Sequence, residues 1–235
     1  PEKIVEILDR FFETSKPLSG KKVLITAGPT YEKIDPVRFI GNYSSGKMGF
    51  ALAEACAEAG AEVMLVAGPV SLKTNHSSID RIDVESAEEM YRAVLSEYDR
   101  SDIAIMCAAV ADYAPETVSD VKLKRTGEDR ILRLRPNPDI AAELGRRKRP
   151  GQCLVGFALE TNDEEMNARL KMEKKNLDFI VLNSLRDAGA GFQCDTNKVT
   201  VIGKQGEPME IPCKPKIEVA ADIVDIIGRY VSEDR

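Results

Sequence analysis

The sequence has 235 residues, of which 43% are hydrophobic and 31% are charged, and its formal net charge at neutral pH is −6. This length supports a full hydrophobic core, and we expect a single domain. The acidic balance, without any block of like charges, argues against a nucleic-acid partner. There is also no apolar run long enough to span a membrane and no signal-peptide pattern, so we expect a cytoplasmic protein.

Cysteine and histidine usage limits the chemistry further. The five cysteines are widely spaced without a C-x-x-C pair, and the single histidine, His76, lies in a polar stretch. This pattern is typical of reduced structural thiols rather than of disulfides or a zinc site. It also leaves little material for a histidine-based catalytic triad.

The first predicted elements are a leading helix and its linker. Residues 1–20 carry apolar side chains at helical spacing and then break at Pro17 and Gly20. Because the chain starts at a proline, this segment is interpreted as the cut end of a longer polypeptide. A single domain is predicted over residues 21–235.

Strands and helices alternate after the linker. A short buried strand is predicted at residues 21–28, and residues 47–68 predict an alanine-rich helix followed by a second strand. Strand, helix and strand then recur over residues 79–109. This alternation predicts an α/β, Rossmann-like fold with a mostly parallel sheet and helices on both faces.

A polar interruption precedes the last group of predicted elements. They are, in chain order, a lysine-rich loop at 122–125, a hairpin limb at 130–136, a helix that starts at 137–139, strands at 153–160 and 177–184 around a charged helix, a β-hairpin at 197–211 turned at Gly206, and a closing helix at 217–231.

The loop at residues 41–49, GNYSSGKMG, carries the most chemistry per residue. Glycines and serines ahead of a helix present N–H groups and hydroxyls to an anion, so Ser44, Ser45 and Gly46 are candidate nucleotide-binding residues. The spacing matches the P-loop pattern G-x-x-x-x-G-K, but Met48 occupies the position of the Ser or Thr that holds Mg²⁺. An ordinary P-loop is therefore disfavoured.

Two other function classes remain open from the residues alone. Tyr43 and Lys47 form a Y-x-x-x-K pair, as in an NAD(P)-dependent short-chain oxidoreductase, although they precede the first long helix and no clean G-x-G-x-x-G is present. A non-catalytic nucleotide-binding module is the other class, because fold alone does not establish catalysis.

Two further clusters are candidates for ligand contact. The segment CAAVADYAPE at residues 107–116 follows a central strand, where small alanines admit a ligand and Asp112 offers a carboxylate, or else caps a tight loop. The lysine pairs Lys122/Lys124 and Lys171/Lys175 are suited to a triphosphate, or else form solvated faces.

Taken together, several strings resemble the phosphopantothenate–cysteine ligase family, the C-terminal half of a bifunctional bacterial coenzyme A biosynthesis protein. These strings are ITAGPT (25–30), DPVRFIGNYSSGKMGFALA (35–53), AGPVSL (67–72), AAVADY (108–113), NPDI (137–140), VGFALETN (155–162) and GF-x-x-D-x-N (191–197). The sequence has no counterpart of that protein's flavin-dependent decarboxylase half, and its leading helix resembles the linker between the halves. The resemblance therefore implies ligation without decarboxylation, in a chain naturally fused to that half.

The resemblance implies a reaction with two steps. The carboxylate of 4′-phosphopantothenate attacks the α-phosphate of CTP, which gives an acyl-cytidylate and pyrophosphate. The amine of cysteine then displaces CMP, and Mg²⁺ assists. A homodimer is also implied, with the hairpin at residues 197–211 as its dimerisation arm.

Site roles are carried over position by position. The resemblance implies catalytic roles for Asn42, at the acyl carbonyl, and for Lys122, in the first step. It implies that Arg38, Asn42 and Ala109 bind phosphopantothenate, with Arg38 reaching across a dimer interface. The implied nucleotide-binding residues are Ala108, Ala109, Asp112, Lys122, Pro138, Asp139, Ile140, Ala141, Phe157, Lys171 and Lys175. The family loop K-x-K-K ends in arginine here, which favours Lys122 over Lys124, and no metal ligand is assigned.

Overall fold

A computed structural model describes residues 16–125, 127–160, 163–184 and 194–233. The predicted leading helix lies largely outside these residues. The helices and strands are β1 (Lys22–Ala27), β2 (Tyr31–Lys33), β3 (Phe39–Gly41), α1 (Lys47–Glu58), β4 (Glu62–Ala67), β5 (Ile79–Asp83), α2 (Ala87–Tyr98), β6 (Ile103–Met106), β7 (Tyr113–Pro115), β8 (Leu134–Pro136), α3 (Ile140–Arg147), β9 (Cys153–Glu160), α4 (Glu164–Lys174), β10 (Phe179–Ser184), β11 (Thr196–Gly203), β12 (Met209–Pro215) and α5 (Lys216–Glu233).

The central sheet has eight strands in the order β5-β4-β1-β6-β9-β10-β11-β12. The first six strands in this order, β5, β4, β1, β6, β9 and β10, run parallel to one another. Val23 of β1 pairs with Val63 on one side and Ile103 on the other. β11 runs antiparallel to both of its neighbours. The predicted α/β fold with a mostly parallel sheet is therefore confirmed.

Helices cover both faces of this sheet because its central strands are apolar on both sides. In β1, Val23 and Ile25 belong to the core cluster under α1 and α5, whereas Leu24 belongs to the cluster under α2, α3 and α4. Alternate residues of a strand point to opposite faces, so one short run supplies both cores. Within the described ranges, no helix is long and apolar enough to cross a membrane.

The predicted hairpin at residues 197–211 is present and belongs to the central sheet. β11 pairs with β10 and β12, and Gly206 in the turn has a φ of 88°, in the region that favours glycine. The first residues of β11 and the last residues of β12 thus lie at the edge where the parallel strands end. Its role as a dimerisation arm stays a prediction.

The structure differs from the predicted elements at three places around the later site. The sequence did not indicate the β2–β3 hairpin, because its three-residue strands are too short for a periodic signal. The rings of Tyr31 and Phe39 stack across this hairpin with their centroids 3.8 Å apart. The predicted strand at residues 102–109 ends at Met106, since the chain then leaves the sheet. The hairpin limb at 130–136 is a strand only over Leu134–Pro136.

One buried hydroxyl in the described core gives a stability prediction. Tyr98 is 1% exposed, its Oη has no hydrogen-bond partner, and burial raises the pKa of the phenol to about 12. Tyr98→Phe removes the unsatisfied group and keeps the ring, so we expect stabilisation of about 1 kcal/mol. Urea unfolding will show a higher midpoint with an unchanged slope. Tyr91→Phe on the same helix, where the ring is partly exposed, is the control and should change little; a lower midpoint for Tyr98→Phe would contradict the argument.

Candidate active site

A cavity of about 650 Å³ opens at the carboxyl ends of β1, β6 and β9. β1 is the strand at which the sheet order reverses, because β4 lies on one side of it and β6 on the other. Beyond these strands the loops after β1 and β6 are no longer paired as strands, and an isolated bridge joins Pro29 to Ala109. Open α/β sheets bind ligands at such a reversal point, and the volume falls within the roughly 300–1,000 Å³ typical of small-molecule sites.

Nearly all of the residues predicted from the sequence line this single cavity. Those that do are Asn42, Ser44, Ser45, Gly46, Ala108, Ala109, Asp112, Pro138, Asp139, Ile140, Ala141, Phe157, Lys171 and Lys175. Arg38 and Lys122 do not line it. The predicted residues that line the cavity lie up to 133 positions apart in sequence, from Asn42 to Lys175, and their binding roles stay predictions.

The loop before α1 forms one wall of the cavity. The Asn42 side-chain amide donates to the carbonyls of Ala109 at 3.0 Å and Val110 at 3.2 Å, which ties the loop to the opposite segment. Gly46 precedes the helix with a φ of 79°, and a Cβ at Gly49 would lie 2.5 Å from the Cβ of Ala27. The first turn of α1 therefore packs closely on β1 and lines the cavity. The positive end of the helix dipole and the unpaired N–H groups of this turn lie at that end of the helix.

Two buried threonines hold the wall that follows β6. The Thr26 hydroxyl accepts a hydrogen bond from the Ala108 amide at 3.1 Å, and the Thr30 hydroxyl accepts one from the Ala111 amide at 2.9 Å. The Asn137 side chain donates to the Ala111 carbonyl at 2.8 Å. These bonds fix the alanine segment next to the ligand space. Sequence analysis did not single out either threonine, although both belong to the ITAGPT string.

A third wall of the cavity, formed by the end of α4 and the start of α3, carries positively charged side chains. Lys175, which directly follows α4 as its C-cap, forms an ion pair with the Asp139 carboxylate at 3.0 Å, and Lys171 lies one turn earlier. Asp139 caps α3 by accepting from the Ala142 amide at 3.0 Å, which confirms the predicted helix start at residues 137–139. Lys171 and Lys175 both line this part of the cavity, where their positive charges suit an anionic ligand.

Lys216 and Asn197 are cavity residues that sequence analysis missed. Lys216 is only 6% exposed, its ammonium group donates to the carbonyl of Cys194, and burial lowers the pKa of its side chain. Asn197 is 1% exposed and contacts Asn183 of β10. Both reach the cavity because β11 starts and β12 ends at the carboxyl edge of the parallel strands. Asn197 ends the GF-x-x-D-x-N string quoted above, whereas Lys216 belongs to no such string, and only the direction of the two strands could have indicated it.

Cys107 also lines the cavity, at the end of β6. Burial raises the pKa of its thiol to about 12, and the nearby Lys216 ammonium opposes this only in part. The thiol is therefore protonated at neutral pH and unsuited to act as a nucleophile. This agrees with the predicted structural role of the cysteines.

Arg38 and Lys122 lie together outside the cavity. The Arg38 guanidinium group donates to the carbonyl of Leu123 and pairs with the Asp35 carboxylate at 3.1 Å. Lys122, the neighbour of Leu123, is exposed on the loop between β7 and β8. Both ends of that hairpin adjoin the cavity wall, since Asp112 precedes β7 and Asn137 follows β8.

Comparison with known proteins assigns a family to this arrangement. Residues 18–230 match the family model described as "DNA/pantothenate metabolism flavoprotein C-terminal domain". A crystal structure of the C-terminal domain of coenzyme A biosynthesis bifunctional protein CoaBC superimposes with a TM-score of 0.79 at 42% identity, over 93% of this chain and 100% of that one.

Two curated relatives are longer than this chain. A protein of an unknown prokaryotic organism, named cysteine/cysteine sulfinic acid decarboxylase, is 55% identical over 95% of this chain and 64% of its own length. Coenzyme A biosynthesis bifunctional protein CoaBC of Bacillus subtilis strain 168 is 51% identical over 97% of this chain and 56% of its own length. The chain thus spans less than two thirds of each relative. By the match over residues 18–230, it belongs to the DNA/pantothenate metabolism flavoprotein C-terminal domain family.

Proposed function

We propose that the chain is a cytoplasmic, CTP-dependent phosphopantothenate–cysteine ligase, with residues 21–235 acting as one ligase domain. The observation that carries the proposal is one cavity at the reversal point of the sheet, in which the loop around Asn42 faces Lys171 and Lys175. The names of the relatives in coenzyme A biosynthesis support the same reaction. Neither the oxidoreductase nor the binding-module alternative is needed to account for this site.

In the proposed first step, a carboxylate oxygen of 4′-phosphopantothenate bonds to the α-phosphorus of CTP. The bond to the bridging oxygen breaks, and pyrophosphate leaves with its electron pair. Charge therefore grows on the leaving phosphates, and Lys171 and Lys175 are placed on the cavity wall to offset it. The N-terminus of α1 adds a second electropositive wall for phosphate groups.

In the proposed second step, the amine of cysteine attacks the acyl carbon of the acyl-cytidylate. The new C–N bond forms, the amine loses a proton, and CMP leaves with the electrons of the broken C–O bond. The acyl oxygen carries negative charge while the carbon is tetrahedral, so a neutral donor at this point stabilises the transition state. The Asn42 amide now donates to the carbonyls of Ala109 and Val110, and in this step one of its two N–H groups would turn from a carbonyl to the acyl oxygen.

Mg²⁺ fits this cavity as a partner of the triphosphate. Among the described residues, no group of three or more His, Cys, Asp or Glu side chains could hold a metal alone. Mg²⁺ is commonly held by one or two carboxylates together with substrate phosphates, and Asp112 lines the same cavity, whereas Asp139 is paired with Lys175. We propose Asp112 as its protein ligand, and the ion would supply further positive charge at the phosphates.

The exposed apolar surface supports a homodimer. Val37 and Phe39 in the β2–β3 hairpin and Leu134 in the neighbouring β7–β8 hairpin are all more than 45% exposed. Neighbouring exposed apolar residues mark protein contacts more often than isolated ones do. We therefore propose that a second copy of the chain covers these three residues and leaves the loop at Lys122 accessible. Light scattering of the purified protein measures this directly.

A product assay tests the proposed reaction. The chain, incubated with CTP, Mg²⁺, 4′-phosphopantothenate and cysteine, should release pyrophosphate and CMP in equal amounts and form phosphopantothenoylcysteine. Thermal-shift ranking of the four nucleoside triphosphates should place CTP first, because ligand stabilisation rises with affinity. Release of CO₂ from cysteine or cysteine sulfinate, without pyrophosphate, would instead support the activity in the name of the decarboxylase relative.

A further inference from the structure

A buried carboxylate connects the β2–β3 hairpin to the loop that carries Lys122. The side chain of Asp35 is fully buried in the turn between the two strands. One carboxylate oxygen accepts from the amides of Val37 at 2.8 Å and Arg38 at 2.9 Å. The other accepts from the Leu123 amide, 88 residues away, at 3.1 Å and from the Arg38 guanidinium group, also at 3.1 Å. The side chain therefore serves two segments at once.

Among the described residues, the loop between β7 and β8, which contains Leu123, has few other hydrogen bonds with the β2–β3 turn. Residues 116–125 and 127–133 lie between β7 and β8, and this hairpin is closed at its base where the Asn137 amide donates to the Asp112 carbonyl at 2.8 Å. Away from that base, the loop contacts the β2–β3 turn again where the Ser119 amide donates to the Ile34 carbonyl at 3.0 Å. The bond from Leu123 to Asp35 is the next contact along the chain, directly beside Lys122.

We propose that Asp35 is a positioning residue, which holds the backbone at Leu123 and thereby fixes the place from which the exposed Lys122 side chain can reach the ligand in the neighbouring cavity. The Arg38 guanidinium group reinforces this tether, because it contacts both the Asp35 carboxylate and the Leu123 carbonyl. The inference rests on the proposed function, in which Lys122 assists the first step. It adds a residue that touches no substrate.

The charge of Asp35 suits a permanent tether. Burial by itself raises the pKa of this carboxyl group, but the amides of Val37, Leu123 and Arg38 and the Arg38 guanidinium group outweigh it, so the pKa lies below its usual value. The carboxylate is therefore ionised at neutral pH and accepts all four bonds. An asparagine would keep the shape, but it has only one oxygen. Its NH₂ group would replace the other oxygen and would face N–H donors with which it cannot form hydrogen bonds.

Asp35→Asn is the direct test. We expect the rate of pyrophosphate release to fall about tenfold to a hundredfold, because misplacing a catalytic group by about 1 Å has effects of that size. The conversion of supplied acyl-cytidylate and cysteine to product should keep its rate. Asp120→Asn, an equal charge change at an exposed position of the same loop, is the matched control and should behave like the unaltered chain.

A double-mutant comparison separates positioning from general damage. In a Lys122→Gln background, Asp35→Asn should cause little additional loss, since the tether acts through that lysine. Multiplicative losses, or pyrophosphate release at the original rate in Asp35→Asn, would overturn the inference. If Asp35→Asn does not fold, Leu123→Pro removes the tethered amide on the loop side and should reproduce the same selective loss.

Trypsin gives a readout that does not depend on activity. The loop offers Lys122, Lys124 and Arg125 as exposed cleavage sites, so Asp35→Asn should be cut there faster than the unaltered chain while the rest of the domain resists. Absence of pyrophosphate from the unaltered chain would overturn the proposed function instead. The tether would then be judged by cleavage alone, and equal cleavage rates would reject it.

Discussion

Asn42→Asp should release pyrophosphate from CTP but accumulate the acyl-cytidylate, with product formation reduced at least about a hundredfold. The first step depends mainly on cations on the opposite wall, which this substitution leaves in place. The second step loses its neutral donor. In addition, the new carboxylate would face the carbonyls of Ala109 and Val110, which now accept from the amide at 3.0 and 3.2 Å. Rapid quenching followed by chromatography of the nucleotide products measures both steps.

Tyr43→Phe is the matched control for this prediction. Tyr43 is the next residue of the loop, its side chain is 84% exposed, and it does not line the cavity. Its hydroxyl group should therefore be dispensable for both steps. Unchanged turnover in Asn42→Asp would remove Asn42 from the mechanism, and inactivation by Tyr43→Phe would bring back the Y-x-x-x-K hypothesis.

The fold and many of the cavity residues could be predicted from the sequence because they leave local sequence patterns. Alternating strands and helices indicated the sheet, and the segments that follow β1 and β6 pointed to the edge at which Asn42 and Asp112 line one cavity. The Asn-Pro-Asp start of α3 also gave its cap correctly. These signals are local, because periodicity and capping depend on residues a few positions apart.

Long-range geometry accounts for what the sequence did not predict. Lys216 enters the cavity only because an antiparallel hairpin returns the chain to the carboxyl edge of the sheet, and no pattern around it predicts that direction. Asp35 is similar, since its bond to Leu123 spans 88 residues. The resemblance supplied Arg38 and Lys122 by position. It did not indicate that their segments are tied together outside the cavity.

Lys171→Gln and Lys175→Gln combined should raise the KM for CTP by about a hundredfold or more. A hydrogen bond to a charged group contributes about 1.5–3 kcal/mol, so removing one cation corresponds to roughly tenfold to a hundredfold. Both lysines line the cavity. Lys174→Gln makes the same charge change on the same helix at an exposed residue outside the cavity, and it should leave the KM unchanged. Initial rates of pyrophosphate release over a range of CTP concentrations give these constants.

Lys175 should also act through the carboxylate that it pairs with. Lys175 neutralises the Asp139 carboxylate at 3.0 Å, so its loss removes a cation and leaves an unpaired anion on the wall that faces the triphosphate. Adding Asp139→Asn to Lys175→Gln should therefore recover part of the loss in the KM for CTP, because asparagine still caps α3 but no longer repels phosphate. A double variant with the same KM as Lys175→Gln alone would mean that the pair with Asp139 does not control the charge of this wall.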